Sequence, residues 1–161
     1  ENNAPLRNVC VLLFAGVVVV SSAMQIAGSM KNPEITSVQR ERAAYLQNNG
    51  LTFGYATFWN ANVVTELTDG DVEAVAVSID ANAQGQGVPH TSMWLEATAD
   101  RRMERPDEPV FLMLTAQESG QLSDFLALSG AQKRWEQSGM TIYEIESQRV
   151  FFETAQTMDA Q

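Results

Sequence analysis

The sequence predicts a small α/β domain, a mostly parallel sheet flanked by helices and Rossmann-like in outline, preceded by one transmembrane helix. Three observations predict it. An uncharged apolar run, Val9–Ala27, lies near the start of the 161-residue chain. Behind it, short β-type runs alternate with stretches of helical spacing, the order that gives a parallel sheet with helices on its faces. The remaining roughly 130 residues suffice for one domain with its own core and leave little room for a second.

The apolar run centres on Val11-Leu12-Leu13-Phe14-Ala15-Gly16-Val17-Val18-Val19-Val20. As a helix its positions span roughly 28 Å, about the thickness of a bilayer's hydrocarbon core. Arg7 and Asn8 bound it on one side, and Lys31-Asn32-Pro33 stop it on the other. Two other readings fit the same residues. Arg7, the apolar stretch and Ser21-Ser22-Ala23 have the order of a signal peptide, although the start on Glu1-Asn2-Asn3 without Met counts against it. The valines also favour strands, with Ala15-Gly16 as a turn in a buried pair. The flanking charges, Arg7 before and Lys31, Arg40 and Arg42 after, do not orient the segment. The non-Met start leads to the expectation that this chain is a piece of a larger membrane protein. Residues 1–31 are assigned to the transmembrane helix and its flanks, 32–153 to the α/β domain and 154–161 to a flexible tail.

Thr36-Ser37-Val38-Gln39 fits a capping box, and Val38, Ala44, Tyr45 and Leu46 continue it as a helical stripe that Asn48-Asn49-Gly50 ends. Leu51–Ala56 reads as a strand. Trp59, Val63, Val64 and Leu67 have helix spacing, Asp69-Gly70 turns the chain, and Val72–Ile79 is a Val/Ala-rich strand. Residues 51–79 therefore read as a β-α-β unit, which requires a parallel pair. Asn82–Pro89 is a loop by composition, Thr91–Ala99 a short helix around Trp94, and Asp100–Pro109 a charged exposed stretch. Val110-Phe111-Leu112-Met113-Leu114 has the continuous apolar pattern of a strand covered on both faces. Thr115-Ala116-Gln117-Glu118 is a second capping box, followed by a helix that buries Leu122, Phe125 and Leu126 and closes at Gly130. Met140–Ile145 is a further strand, Val150-Phe151-Phe152 a short final one, and Thr154–Gln161 a frayed tail.

Twenty acidic residues against ten basic ones leave a formal net charge of −10. That argues against nucleic acid, whose phosphates need a Lys/Arg surplus, and against docking on anionic lipid head groups. The single cysteine, Cys10, lies in the apolar run, so an internal disulfide and a thiolate metal cluster are excluded. The single histidine, His90, sits in a Gly/Pro-rich stretch. It makes a zinc site improbable, any Ser-His-Asp triad would have to use it, and a lone loop histidine is usually solvated. Gly85-Gln86-Gly87 lacks the third glycine and the following helix of a dinucleotide fingerprint, and no P-loop occurs. Glu144/Glu146 and Asp69/Asp71 read as strand-edge and turn residues rather than a catalytic pair. No metal, cofactor or catalytic residue is assigned.

The densest unusual stretch, Gly54–Asn62, spans a strand end and a helix start. In open α/β sheets ligands bind at that edge, and a helix N-terminus offers free amides. Gly54, Tyr55, Thr57, Asn60 and Asn62 are the candidate ligand contacts. The alternative is structural, with Phe58 and Trp59 in the core and Asn60 as a cap. The spacing of Trp59 to Val63 and Leu67 puts the indole on the apolar stripe, which predicts a core role for it.

Leu51–Thr65, with its Gly54-Tyr55-Ala56-Thr57-Phe58-Trp59-Asn60-Ala61 core, and the later runs Pro109–Leu114 and Met140–Ile145 resemble blocks in the C-terminal soluble part of bacterial polytopic membrane proteins related to glycosyltransferases that use lipid-linked sugars. The resemblance covers roughly residues 9–146, and only 54–65 is specific. It implies a last transmembrane helix before the domain, a cytoplasmic (inner) membrane location with the domain on the outer face, and catalytic acids upstream of Glu1. No position here matches those acids. The domain is then expected to be an accessory or recognition module toward a lipid-linked sugar or an acceptor. The competing expectation is a membrane-anchored, non-enzymatic domain that binds a protein partner or a small ligand.

Overall fold

The structure, a computed structural model, describes residues 33–91 and 105–161. The chain divides into two compact units, Glu1–Ser37 and Val38–Gln161. The sheet and every helix after the first belong to the second unit. Among the described residues no helix is long and apolar enough to cross a membrane. Val9–Ala27 lies outside them, as do the helix expected after Thr91 and most of the charged stretch from Asp100.

The elements, in chain order, are α1 (Pro33–Asn48), β1 (Phe53–Thr57), α2 (Phe58–Leu67), β2 (Glu73–Ala81), β3 (Gly87–Thr91), β4 (Val110–Thr115), α3 (Ala116–Gln121), α4 (Ser123–Leu128), β5 (Gln132–Gln137), β6 (Met140–Ile145) and α5 (Gln148–Asp159). The strands form one six-stranded sheet in the order β3-β2-β1-β4-β6-β5. The β-α-β unit is as expected: β1 and β2 are parallel neighbours, Phe53 opposite Glu73 and Thr57 opposite Val77. β4 lies parallel on the other flank of β1. The sheet as a whole, however, is mixed rather than mostly parallel. β3 runs antiparallel to β2, and β6 runs antiparallel to both β4 and β5. The connections dictate this. A parallel return needs a crossover of a dozen residues or more, whereas a tight turn gives an antiparallel hairpin. The β2–β3 link is such a turn, where the Asn82 side chain accepts from the amides of Gln84 (3.1 Å) and Gln86 (2.9 Å). The β5–β6 link is Ser138-Gly139, both at positive φ.

Side-chain alternation sorts the strands onto two faces. Phe53 and Tyr55 of β1, with Val110, Leu112 and Leu114 of β4, face Phe125 of α4 and Phe151, Ala155 and Met158 of α5. Ala56 of β1, with Phe111 and Met113 of β4, faces Leu46 of α1 and Ala61 and Val64 of α2. β4 is covered on both sides, as its continuous apolar run requires; Val110 to Leu114 are all buried.

Three further elements differ from expectation. α1 begins at Pro33, upstream of the Thr36 capping box, because a helix's first turn tolerates the missing N–H of proline. The helix after the Thr115 capping box, which forms as expected, is two short helices joined at Leu122. Val150-Phe151-Phe152 belongs to α5 and not to a strand, and the tail expected to fray is helical through Asp159. Ser147 caps α5 by accepting from the Val150 amide at 3.3 Å. Burial then recurs at Gln148, Phe151, Ala155 and Met158, a helical and not an alternating period.

Candidate functional site

The nominated block, Gly54–Asn62, straddles the carboxyl end of β1. β1 is the switch strand: the chain passes to β2 on one side and β4 lies on the other. The candidate contacts do not converge there. Gly54 is packed so closely that any Cβ would overlap the carbonyl oxygen and ring of Phe111 on the adjacent strand. Tyr55 is 1% exposed, a core residue. Its ring stacks on Phe151 at 4.1 Å and 13°, and its hydroxyl accepts from Gln148 Nε2 at 3.0 Å. Gln148, itself fully buried, takes the backbone N–H of Arg105 on its Oε1 at 3.0 Å. Thr57 is the N-cap residue of α2, yet its hydroxyl caps no amide. It accepts instead from Asn60 Nδ2 at 3.1 Å. Asn62 is exposed and donates to the Phe58 carbonyl at 3.1 Å.

Trp59 is the largest departure from the sequence reading. It is 78% exposed, while Ala61 and Val64 form the buried face of α2. The i, i+4, i+8 stripe through Val63 and Leu67 is therefore the flank of the helix: Leu67 is also partly in solvent. With a buried face made of Ala and Val, the periodicity admits either stripe, and the smaller residues win because α2 packs closely over Ala74 and Ala76.

One charged group on the same face of the sheet has a buried nitrogen without a partner among the described residues. Glu41 accepts from Gln137 at the end of β5, and the Tyr45 hydroxyl donates to the Arg134 carbonyl, so α1 is tied to β5 at two points. Arg42 follows Glu41 in the same turn of helix. Its Nε is buried and has no hydrogen-bond partner among the described residues, and burial pushes its guanidinium below its usual range.

A cavity of about 280 Å³ lies elsewhere, in the angle between α5 and the edge strand β3. α5 contributes Phe152, Gln156 and Asp159, positions i, i+4 and i+7 and hence one stripe, bordering its buried face. Ala155 and Pro89 complete the apolar part, and His90 and Thr91 come from β3. His90 Nε2 lies 3.5 Å from Asp159 Oδ1, an ion pair when the imidazole is protonated. The side chains of Asn82 and Gln84 donate to the Met158 and Gln161 carbonyls and so tie the β2–β3 turn to the end of α5 beside the cavity. His90, expected in a loop, is thus in a strand and paired. Sequence reasoning misses the cavity because three of its seven lining residues, Ala155, Gln156 and Asp159, belong to the segment expected to fray and Phe152 to an expected strand; the signal is the spacing of Phe152, Gln156 and Asp159.

Chemically the cavity offers one imidazole, one carboxylate, one amide and one hydroxyl around an aromatic ring. Among the described residues no serine or cysteine lines it, and no group of three or more His, Cys, Asp and Glu is arranged to hold a metal. Compared with family models, curated proteins and solved structures, the chain matches none.

Proposed function

We propose that this domain is the extracytoplasmic recognition module of a polytopic membrane glycosyltransferase-like protein, binding a small ligand and leaving bond-making to residues upstream. The observation that carries the reading is the cavity between β3 and α5: mixed polar and apolar lining around a half-buried aromatic, the composition of a small-molecule site. The resemblance of residues 54–65 supports the parent protein's class. Thermal shift of the full chain in detergent, against a panel of small amines, carboxylates, phosphates and neutral polyols, tests it. A saturable rise in melting temperature from one class, with no sugar transfer from a lipid-linked donor, is expected. Stabilisation by none of them, or transfer by this chain alone, overturns it.

A second reading, a membrane-anchored domain that docks a protein partner, is favoured by one observation. Trp59 is exposed with the Phe58 ring 5.0 Å away edge-on, and large exposed aromatics are typical anchors of protein interfaces. Capture of a partner that Trp59→Ala abolishes supports this reading over the first.

A further inference from the structure

We propose that the cavity between β3 and α5 takes a primary alkylammonium ion, its head held by Asp159, Gln156 and Thr91 and its chain lying on Phe152. The proposal rests on the recognition reading above and names the ligand class of that site.

The electrostatics of one helix end carry it. The C-terminus of a helix is the negative pole of its dipole and favours cations in the last turn. The last turn of α5 has no basic residue and ends on a carboxylate, Asp159. That sets a like charge on the negative pole. The nearby contacts do not offset it. Asn82 donates to the Met158 carbonyl and Gln84 to the Gln161 carbonyl, and both donors are neutral amides. Elsewhere in the domain Asp107, Glu108, Glu136 and Glu144 each face an arginine or a lysine. Asp159 faces His90, which carries charge only when protonated. No lysine or arginine lines the cavity among the described residues. A neutral ligand leaves this shortage of positive charge in place and an anion deepens it; a cation removes it.

The lining narrows the kind of cation. A divalent metal ion takes about six oxygen ligands, and among the described residues no group of three or more His, Cys, Asp and Glu is arranged to hold one. A guanidinium binds best with both oxygens of a carboxylate in its fork, and Asp159 Oδ1 already faces His90 Nε2 at 3.5 Å. An ammonium needs only one oxygen from each partner. It has three donors and no acceptor, and the lining offers three acceptors: the other Asp159 oxygen, the Gln156 amide oxygen and the Thr91 hydroxyl.

The apolar side takes the chain. Phe152, Ala155 and Pro89 form it, and the Phe152 ring is fixed edge-on against Phe151 (5.4 Å, 89°) and Tyr55 (6.0 Å, 81°). An aromatic face attracts a nearby cation, and a ring already held by its neighbours loses little rotamer freedom on binding. The volume, about 280 Å³, is at the lower end of the ~300–1,000 Å³ of small-molecule pockets, which limits the ligand to a short chain.

The experiment uses the full chain in non-ionic detergent micelles. n-Butylammonium is the probe, with n-butanol and butyrate as its neutral and anionic counterparts, read by isothermal titration. Saturable binding of butylammonium is expected, about tenfold tighter than butanol. Asp159→Asn is expected to weaken it about tenfold with the melting temperature unchanged. Nα-acetyl-lysine methylamide presents the same ammonium on a peptide unit. Tighter binding of it than of butylammonium assigns the source to a lysine of a partner, and weaker binding assigns it to a free amine; either result supports the ammonium site. Equal binding of butanol and butylammonium overturns the proposal, as does butylammonium binding that Asp159→Asn and Phe152→Leu both leave intact. The recognition reading stands in both cases, because a small ligand is still bound. Binding of a carboxylate, phosphate or polyol probe in place of every amine also overturns the proposal and keeps that reading. Binding of no probe of any class overturns both.

Discussion

Tyr55 is held from several sides at once: Phe151 stacks on its ring, Phe53 and Phe152 meet it edge-on, and Gln148 reaches its hydroxyl. Removing the ring opens a cavity in the centre of one core layer, and aromatic truncations of this kind cost about 3–5 kcal/mol. Tyr55→Phe keeps the packing but leaves the Gln148 amide without its buried acceptor, at about 1–3 kcal/mol. Trp59 has no such role. With its indole in solvent, Trp59→Ala is expected within about 0.5 kcal/mol of the parent, as exposed substitutions usually are. Urea melts of the three variants check the order; a large loss for Trp59→Ala with little for Tyr55→Ala reverses it. In the sequence both residues are simply aromatic and apolar. Nothing local ranks them, because burial at 55 is set by α5, about a hundred residues away, and exposure at 59 by how closely Ala61 and Val64 let α2 approach the sheet.

At the scale of elements, local chemistry is legible wherever it alone decides the structure. The Thr115–Glu118 box forms with both of its bonds. Gly50 ends α1 as expected, at φ +69, with the Leu51 amide reaching the Leu46 carbonyl and the Gly50 amide the Gln47 carbonyl, the bonding of a Schellman end. Edge strands are not legible. β5 reads Gln-Lys-Arg-Trp-Glu-Gln with only Trp135 partly buried, because an edge strand in water carries charge to deter pairing; Lys133 pairs with Glu136 and Arg134 with Glu144. β3 contains Pro89, which composition assigns to a loop but which an edge position tolerates. α5 escapes for a different reason: Val150-Phe151-Phe152 is apolar at three consecutive positions, and only the Ser147 cap and the recurrence at Ala155 and Met158 separate helix from strand. Ser147→Ala tests that cap. It is expected to cost about 1 kcal/mol and to weaken any ligand held by Gln156 and Asp159. A variant as stable as the parent, with unchanged amide exchange in α5, means that the cap contributes nothing to the helix.

For the whole molecule, the segment that bears first on placement is Val9–Ala27. Among the described residues no helix is long and apolar enough to cross a membrane, and the acidic balance repels anionic head groups. Membrane association of the chain is expected to be carried by the apolar segment, and each of its three readings leaves a different trace. A spanning helix keeps the full-length chain in the membrane fraction through alkaline extraction. A signal peptide is cut near Ser21-Ser22-Ala23, and the chain is recovered shortened by that mass. A buried strand pair leaves the intact chain in the soluble fraction. The spanning outcome is expected, on length and lack of charge. A charge substitution separates insertion from mere stickiness: an arginine at the centre of a spanning helix costs about 2.5–3.5 kcal/mol on insertion scales, so Val17→Arg with Val19→Arg is expected to release the chain from membranes. If the doubly substituted chain stays in the membrane fraction as firmly as the parent, or if the parent is soluble without detergent, Val9–Ala27 is not a span and the outer-face placement of the domain fails with it.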